Sequence, residues 1–382
     1  MTFIETLEKS LMKHGLIDGP CQKEFLPMQP GDVYQTYADV DDLVKDFHFK
    51  PDTPLEKGLD AFVSWYKGFY ACWDDDMMKF LITGIGGFVG RYFWEYLLEH
   101  EPDMQVLGLD MMQESPWMHP AFHYTQLNLM DASALRNIMA TFQPDYIVHL
   151  ASISSVGQSW KDPALCFTNN TTIFFNIVES VRAECPTARI LSVGSSEEYG
   201  NYPPKVMPLR EEYELRPCNP YAVARVSQEM ISRLYAESYG LTIMMTRSFN
   251  HIGPRQRDTF VVPSFVKQMV EIKKNGGVGT MHVGNLNIVR DFLDVRDVVD
   301  AYYRIITRGT SGEVYNVCSG KGVRLGDIIS MTADILGIEP TVEADPALVR
   351  PADNAVIIGD CTHLQESLGW KQVFGFEQTL IT

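Results

Sequence analysis

Lys79-Phe80-Leu81-Ile82-Thr83-Gly84-Ile85-Gly86-Gly87-Phe88-Val89-Gly90 is the stretch that decides the fold. Its first five residues, mostly apolar, read as a short buried strand, and a helical pattern runs on from Arg91 to His100. Strand, glycine loop and helix in that order suit a dinucleotide. Glycines let the backbone turn tightly and approach a pyrophosphate, which is held at the helix N-terminus, where free N–H groups and the dipole favour anions. A glycine turn can also serve packing alone, so the context matters. A second strand, Val106–Leu109, ends at Asp110, 20 residues beyond Gly90. A carboxylate there accepts hydrogen bonds from an adenine ribose and repels a 2′-phosphate. That favours NAD(H), with NADP(H) as the alternative.

Working outward, further strands are expected at Tyr146–Leu150, Arg189–Val193 and Leu241–Arg247, with amphipathic helices between them. The alternation predicts an α/β fold, a Rossmann-type doubly wound parallel sheet, over residues 77–250. Past residue 250 the pattern loosens. Residues 251–382 read mainly as a smaller α/β substrate-binding lobe, with some strands returning to the main sheet. Residues 1–76 stand outside this alternation as an N-terminal appendage ending in Cys72-Trp73-Asp74-Asp75-Asp76. They carry a faint internal repeat. At a constant offset of 321, Pro30, Asp32, Asp39, Leu43, Lys50, Glu56 and Leu59 are identical to Pro351, Asp353, Asp360, Leu364, Lys371, Glu377 and Leu380. Seven identities over 30 ungapped positions exceed the one or two that chance gives, so the appendage reads as a copy of the chain's own end.

Composition narrows the partners. The 382 residues carry 49 acidic against 32 basic side chains, a formal charge of −17, which disfavours nucleic acid and anionic membrane surfaces. No apolar run is long enough to span a bilayer, and the start, MTFIETLEKSLMKHG, has no apolar signal core. A cytoplasmic protein is expected. Seven scattered cysteines without a C-x-x-C pair fit reduced thiols, and no His/Cys cluster has metal spacing, so no metal is expected. His149 and His251 read as structural.

The chemistry is expected near Tyr221 and Arg225, which share one helix face at i, i+4 after Pro217-Cys218-Asn219-Pro220. A free tyrosine is a poor acid–base group at neutral pH, and a neighbouring cation favours its phenolate form. The loop Gly194-Ser195-Ser196-Glu197-Glu198-Tyr199-Gly200 follows a predicted strand. It offers Ser195 to bond a reacting oxygen and Glu197 to move a proton. The plainer reading is a serine-capped loop with solvated glutamates. Among the cations after Tyr221 (Arg247, Arg255, Arg257, Lys267, Arg290, Arg296 and Arg350), those near Asn250-His251-Ile252-Gly253-Pro254 and Arg350-Pro351 are candidates to hold a diphosphate.

From Lys79 onward the chain resembles the extended short-chain dehydrogenase/reductase family of NAD-dependent nucleotide-sugar epimerases, dehydratases and reductases. The resemblance rests on TGIGGFVG, Asp145 through HLAS, GSSEEYG, PYAVAR, RSFNHIGP, RDFLDVRDVVDAY and RPAD. It implies that Gly84, Gly87, Phe88, Gly90, Asp110, Leu129 and Ala151 line the dinucleotide, with Tyr221 and Arg225 at its reactive end. Ser195, Glu197, Tyr221 and Arg225 would carry catalysis, and Asn250, Arg290 and Arg350 would grip the sugar diphosphate. HLASISSVGQSW, FNHIGPRQ, VGNLNIVRDFLDVRDVVDAY and YNVCSGKG look most like the GDP-4-dehydro-6-deoxy-D-mannose reductases and the GDP-mannose 4,6-dehydratases. This implies a GDP-linked hexose as substrate and pairing into a homodimer. FLPMQPGDVYQTYADVDDLVKDFHFKP, in the appendage, looks like the C-terminal end of a UDP-glucuronate 4-epimerase. Lacking that enzyme's glycine loop and tyrosine, it would carry no activity of its own.

Two departures from the family pattern stand out. Lysine is usual where this chain has Arg225, and alanine and glutamine are frequent at Ser152 and Ile153. Three activities follow as expectations: reduction at C4 of a GDP-4-keto-6-deoxyhexose, 4,6-dehydration of GDP-mannose, or dinucleotide binding with weak turnover if the arginine impairs the tyrosine.

Overall fold

The computed structural model describes residues 3–23, 38–48, 52–69, 77–348 and 354–382. They fall into two units, Met1–Asp75 and Asp76–Thr382. The first holds three helices: α1 (Phe3–Lys13), α2 (Asp41–Phe47) and α3 (Leu55–Phe69). α1 and α3 are joined around Asp60, whose carboxylate accepts from Lys13 Nζ at 2.8 Å and His14 Nε2 at 2.9 Å. Val63 of α3 is fully buried.

The second unit is built on a parallel sheet ordered β10-β6-β5-β4-β1-β2-β3. Its strands are β1 (Met78–Thr83), β2 (Met104–Asp110), β3 (Phe122–Gln126), β4 (Tyr146–His149), β5 (Arg189–Val193), β6 (Thr242–Ser248) and β10 (Val314–Val317). Phe80, Ile82, Val148 and Leu191 are completely buried because helices cover both faces. Such strands read as continuous apolar runs, not alternating ones. The order steps from β1 to β2 on one side and to β4 on the other. That is the switch point where the carboxyl ends of the strands leave a crevice for ligands.

The flanking helices are α4 (Phe88–His100), α5 (Ala132–Phe142), α6 (Val156–Lys161), α7 (Pro163–Glu184) and α8 (Pro220–Tyr239). The smaller lobe contributes β7 (Asn250–Ile252), α9 (Val261–Lys274), β8 (Thr280–Val283), β9 (Val289–Asp294) and α10 (Val295–Arg308). After β10 come β11 (Gly322–Arg324), α11 (Leu325–Leu336), β12 (Thr341–Ala344), β13 (Val356–Ile357), α12 (Thr362–Leu368) and α13 (Phe376–Ile381). β9 pairs with β7, β11 and β13, and β8 with β12. A second apolar cluster, with Phe265, Met269, Met281 and Ile328, forms the core of this lobe.

Two differences from the sequence expectation are local. α4 begins at Phe88, three residues before the expected start, because the turn after β1 closes by Gly87. Edge strand β3 was not foreseen; its Phe-His-Tyr-Thr-Gln is only partly buried and carries no long apolar run. Past residue 250, β10 joins the main sheet beside β6. The repeat at offset 321 recurs in geometry: α2 and α12 span equivalent residues, α3 and α13 begin at equivalent residues, and both short helices end in a left-handed residue, His48 (φ 53°) and Gly369 (φ 65°).

Candidate active site

A cleft of about 1080 Å³ opens over the carboxyl ends of the strands and runs from the glycine loop to the smaller lobe. Gly84 sits at φ +69°, and a Cβ there would lie 2.7 Å from Ala151 N. A Cβ on Gly90 would lie 2.5 Å from the carbonyl oxygen of Ile85. Both positions therefore exclude side chains, and the loop packs tightly enough to bring α4 against β1. The N-cap of α4 is Gly87, with no side-chain cap, so its first N–H groups are left for a ligand. Asp110 ends β2 with Oδ2 accepting from Gly86 N at 2.9 Å and Oδ1 from Met111 N at 2.7 Å. Phe88, Leu129 and Ala151 also line this end. The cradle fits a dinucleotide.

At the other end of β5, Ser195 caps a short turn. Its Oγ accepts from Glu197 N at 3.3 Å, and Glu198 Oε1 accepts from Ser195 N at 2.6 Å. The serine cap expected from the sequence is present, but the glutamates are not solvated. Glu197 is half-buried and held by Asn219 Nδ2, which donates to Oε2 at 2.8 Å. Glu198 is wholly buried. Asn219 also N-caps α8 through its Oδ1, which accepts from Ala222 N at 2.8 Å. One side chain thus starts the helix that carries Tyr221 and steadies the proposed acid–base carboxylate. Tyr221 and Arg225 are both buried but line the cleft. Arg225 Nε donates to the Tyr221 hydroxyl at 3.1 Å. Its Nη1 donates to Val193 O at 3.0 Å and Gln228 Oε1 at 2.6 Å, and its Nη2 to Ser152 Oγ at 2.6 Å.

Beneath this catalytic end lies a buried charge network that sequence reading did not foresee. Arg247 forks onto Glu229, Nε to Oε2 at 2.9 Å and Nη2 to Oε1 at 2.8 Å. Burial pushes the neighbouring Glu198 carboxyl up, and the Glu229 charge pushes it further. Burial also raises Glu229, but bonds and charge from Arg247 and Arg233 outweigh it and leave that group below its ordinary value. The two shifts run in opposite directions, Glu198 towards the neutral acid and Glu229 towards the carboxylate. The signal available in sequence was the pair of glutamates in GSSEEYG, of which only Glu197 was given a role.

The smaller lobe supplies Asn250, whose Nδ2 donates to Asp291 O at 3.2 Å, and Arg290, whose Nη1 donates to Asn354 O at 2.7 Å. Both line the cleft. Arg350, the third expected diphosphate ligand, lies outside the described residues. Of the other cations, Arg247 is committed to Glu229, Arg255 to Glu95, Lys267 to Asp258 and Arg296 to Asp294. Arg257 lines the cleft, as do Gln256, His282 and Asn285, which the sequence did not single out. His149 is buried with Nδ1 2.8 Å from Thr83 Oγ1, and burial, then Arg225, pushes it down to about 3. His251 is pushed down to about 4 by burial. His149 is a core histidine, whereas His251 is half-buried and lines the cleft.

A glycine cradle at the switch point, a tyrosine–cation pair on the helix after β5 and a smaller lobe that brings Asn250, Arg257 and Arg290 to the same cleft define a nucleotide-cofactor oxidoreductase of the short-chain dehydrogenase/reductase type. Comparison makes the assignment particular: the family model of GDP-mannose 4,6 dehydratase matches residues 81–381, and the chain belongs to that family. It is 31% identical over 303 residues to the GDP-6-deoxy-D-mannose reductase of Pseudomonas aeruginosa, covering 79% of this chain and 94% of that protein. The structure of RMD from Pseudomonas aeruginosa complexed with NADPH aligns with a TM-score of 0.70 at 29% identity, over 80% of this chain and 97% of that one. The UDP-glucose 4-epimerase of Thermus thermophilus in complex with NAD gives 0.71 at 26% identity, again over 80% and 97%.

Proposed function

We propose that the protein is a reductase that delivers hydride from NADH to C4 of a GDP-4-keto-6-deoxyhexose, in the formation of activated deoxysugars. The observation that carries this reading is the cleft itself, with Tyr221, Arg225 and Ser195 on one wall and Asn250 and Arg290 on the other. A bound nicotinamide cofactor would supply the hydride. Tyr221 donates its phenolic proton to the carbonyl oxygen as charge develops there, and Arg225 Nε, already donating to the phenolic oxygen, stabilises the phenolate left behind. Ser195 adds a hydrogen bond to the same substrate oxygen. Asn250 and Arg290 orient the diphosphate, with Arg350 as a further proposed ligand. The similarity to a GDP-6-deoxy-D-mannose reductase supports GDP as the nucleotide.

Asp110 supports NAD(H) over NADP(H): its carboxylate is fixed at the end of β2, and neither residue after it, Met111 or Met112, is a cation that would receive a 2′-phosphate. Glu197 supports a second reading, 4,6-dehydration of GDP-mannose, because Asn219 holds this carboxylate where it could take a C5 proton. Product formed from GDP-mannose without added cofactor would favour that reading. Turnover of the 4-keto sugar with NADH favours ours.

Residues 1–76 we read as an appended copy of such an enzyme's C-terminal end, supported by the coincident helix ends. A homodimer formed through α7 and α8 is supported by their exposed Leu165, Met230 and Leu234; sedimentation at twice the chain mass checks it. Among the described residues no helix is long and apolar enough to cross a membrane. The described cysteines are all free thiols, which supports a reducing cytoplasmic setting.

A further inference from the structure

Arg225 stands out among the cations of the site. It is almost fully buried, and its hydrogen-bond partners among the described residues are neutral groups. Four of the guanidinium's five N–H bonds end on protein acceptors: the Tyr221 hydroxyl, Val193 O, Gln228 Oε1 and Ser152 Oγ. A guanidinium is a rigid planar fork, so fixing one arm aims the others. Val193 O and Gln228 hold the Nη1 arm from behind, and Gln228 is itself anchored on Ser192 Oγ at 2.9 Å. The Nη2 arm has one partner, Ser152 at 2.6 Å, on the loop after β4 and 73 residues away in sequence. Without it, the plane is free to swing about the Nη1 contacts and lift Nε from the phenol oxygen.

We propose that Ser152 is a positioning residue for Tyr221, acting through Arg225, so that Tyr221, Arg225 and Ser152 form one functional unit. Two of the positions at which the sequence departs from the pattern it resembles, Arg225 and Ser152, touch each other. A lysine at 225 has one point charge and no second arm to anchor; an arginine needs the acceptor that Ser152 provides. The unit also assigns a division of labour. With its fork taken up by protein, Arg225 serves the tyrosine, and cofactor affinity rests on the glycine loop and Asp110.

This inference rests on the Tyr221 chemistry proposed above. Its test is a double-mutant cycle with Ser152→Ala, Arg225→Lys and the double variant, following kcat with NADH and a GDP-4-keto-6-deoxyhexose, NADH dissociation constant and melting temperature. Loss of one hydrogen bond to a charged group predicts that Ser152→Ala lowers kcat about tenfold or more, with NADH affinity within about threefold of wild type. In the Arg225→Lys background, Ser152→Ala should cost less than about twofold. Melting temperature should show the same pattern, falling on Ser152→Ala only when Arg225 is present.

Equal factors in the two backgrounds would overturn the unit, as would a Ser152→Ala loss expressed wholly in NADH affinity. If wild type fails to turn over the keto sugar, the reaction assignment fails, and the cycle in melting temperature still decides whether Ser152 and Arg225 are coupled. Additive melting shifts would then sink the pair.

Discussion

Replacing Asp110 by asparagine keeps the shape at the end of β2 and removes one negative charge. In the wild type both carboxylate oxygens accept backbone N–H groups, from Gly86 and Met111, so the charge is fixed rather than mobile. Two effects on cofactor binding follow. Ribose hydroxyls lose a charged acceptor, worth about 1.5 kcal/mol or roughly tenfold in NADH affinity. A 2′-phosphate carrying about −1.5 to −2 charges loses a repulsion of about 1 kcal/mol per unit charge at ~4 Å in high dielectric, and screening reduces the sum to about 1 kcal/mol. NADPH affinity therefore improves, or falls less than NADH affinity. The ratio of the two dissociation constants should move by about fiftyfold in favour of NADPH. One backbone N–H then faces an amide NH₂, so about 1 kcal/mol of stability is lost, about 1–2 °C for a unit of this size. Titration of wild type and Asp110→Asn with each cofactor, by fluorescence or calorimetry, reads the ratio. Equal wild-type affinity for NADH and NADPH, or a ratio unmoved by the substitution, would refute the role given to Asp110.

Other outcomes follow from the same geometry. Tyr221→Phe should lower kcat at least a hundredfold with unchanged NADH affinity, because it removes the proton donor and leaves the cradle intact; a smaller loss would point to another acid. Glu197→Gln should change keto-sugar reduction less than about threefold, whereas a dehydratase would lose its activity with the same substitution. Arg247→Met leaves Glu229 buried without its main partner, with Glu198 beside it, at a cost of about 3–5 kcal/mol, and thermal unfolding should shift down by about 5–8 °C. Glu198→Gln mimics the neutral acid. Because the folded-state value of Glu198 is raised, its contribution to wild-type stability is complete below the ordinary carboxyl range and lost as pH rises through the folded value. The variant escapes that loss, so its melting temperature should gain on wild type from about pH 5 to 7; a flat difference would show that Glu198 is not held neutral.

The dinucleotide half was legible because it is local. β1, the glycine loop and the start of α4 are contiguous, and Asp110 lies one strand away, so spacing alone predicts their meeting. Strand β5 was read to the residue since Arg189–Val193, RILSV, is a short mostly apolar run after a charge and before a glycine. What escaped depends on distant contacts. Ser152 reaches Arg225 across 73 residues, and a serine following HLA gives no sign of it. Glu198 looked solvated in GSSEEYG, and only the fold shows it sealed beside Glu229. The arginines posed the opposite problem: those near Asn250–Pro254 were candidates to hold a diphosphate, yet Arg255 pairs with Glu95, and Arg247 and Arg296 likewise have carboxylate partners that a one-dimensional reading cannot assign.

Purified protein offered NADH and GDP-4-keto-6-deoxymannose gives the most direct measurement, with absorbance at the reduced-nicotinamide band followed alongside the sugar product. The account predicts stoichiometric oxidation of NADH and reduction at C4, lost in Tyr221→Phe. Silence with the keto sugar, together with a 4-keto product from GDP-mannose and no added cofactor, would contradict it.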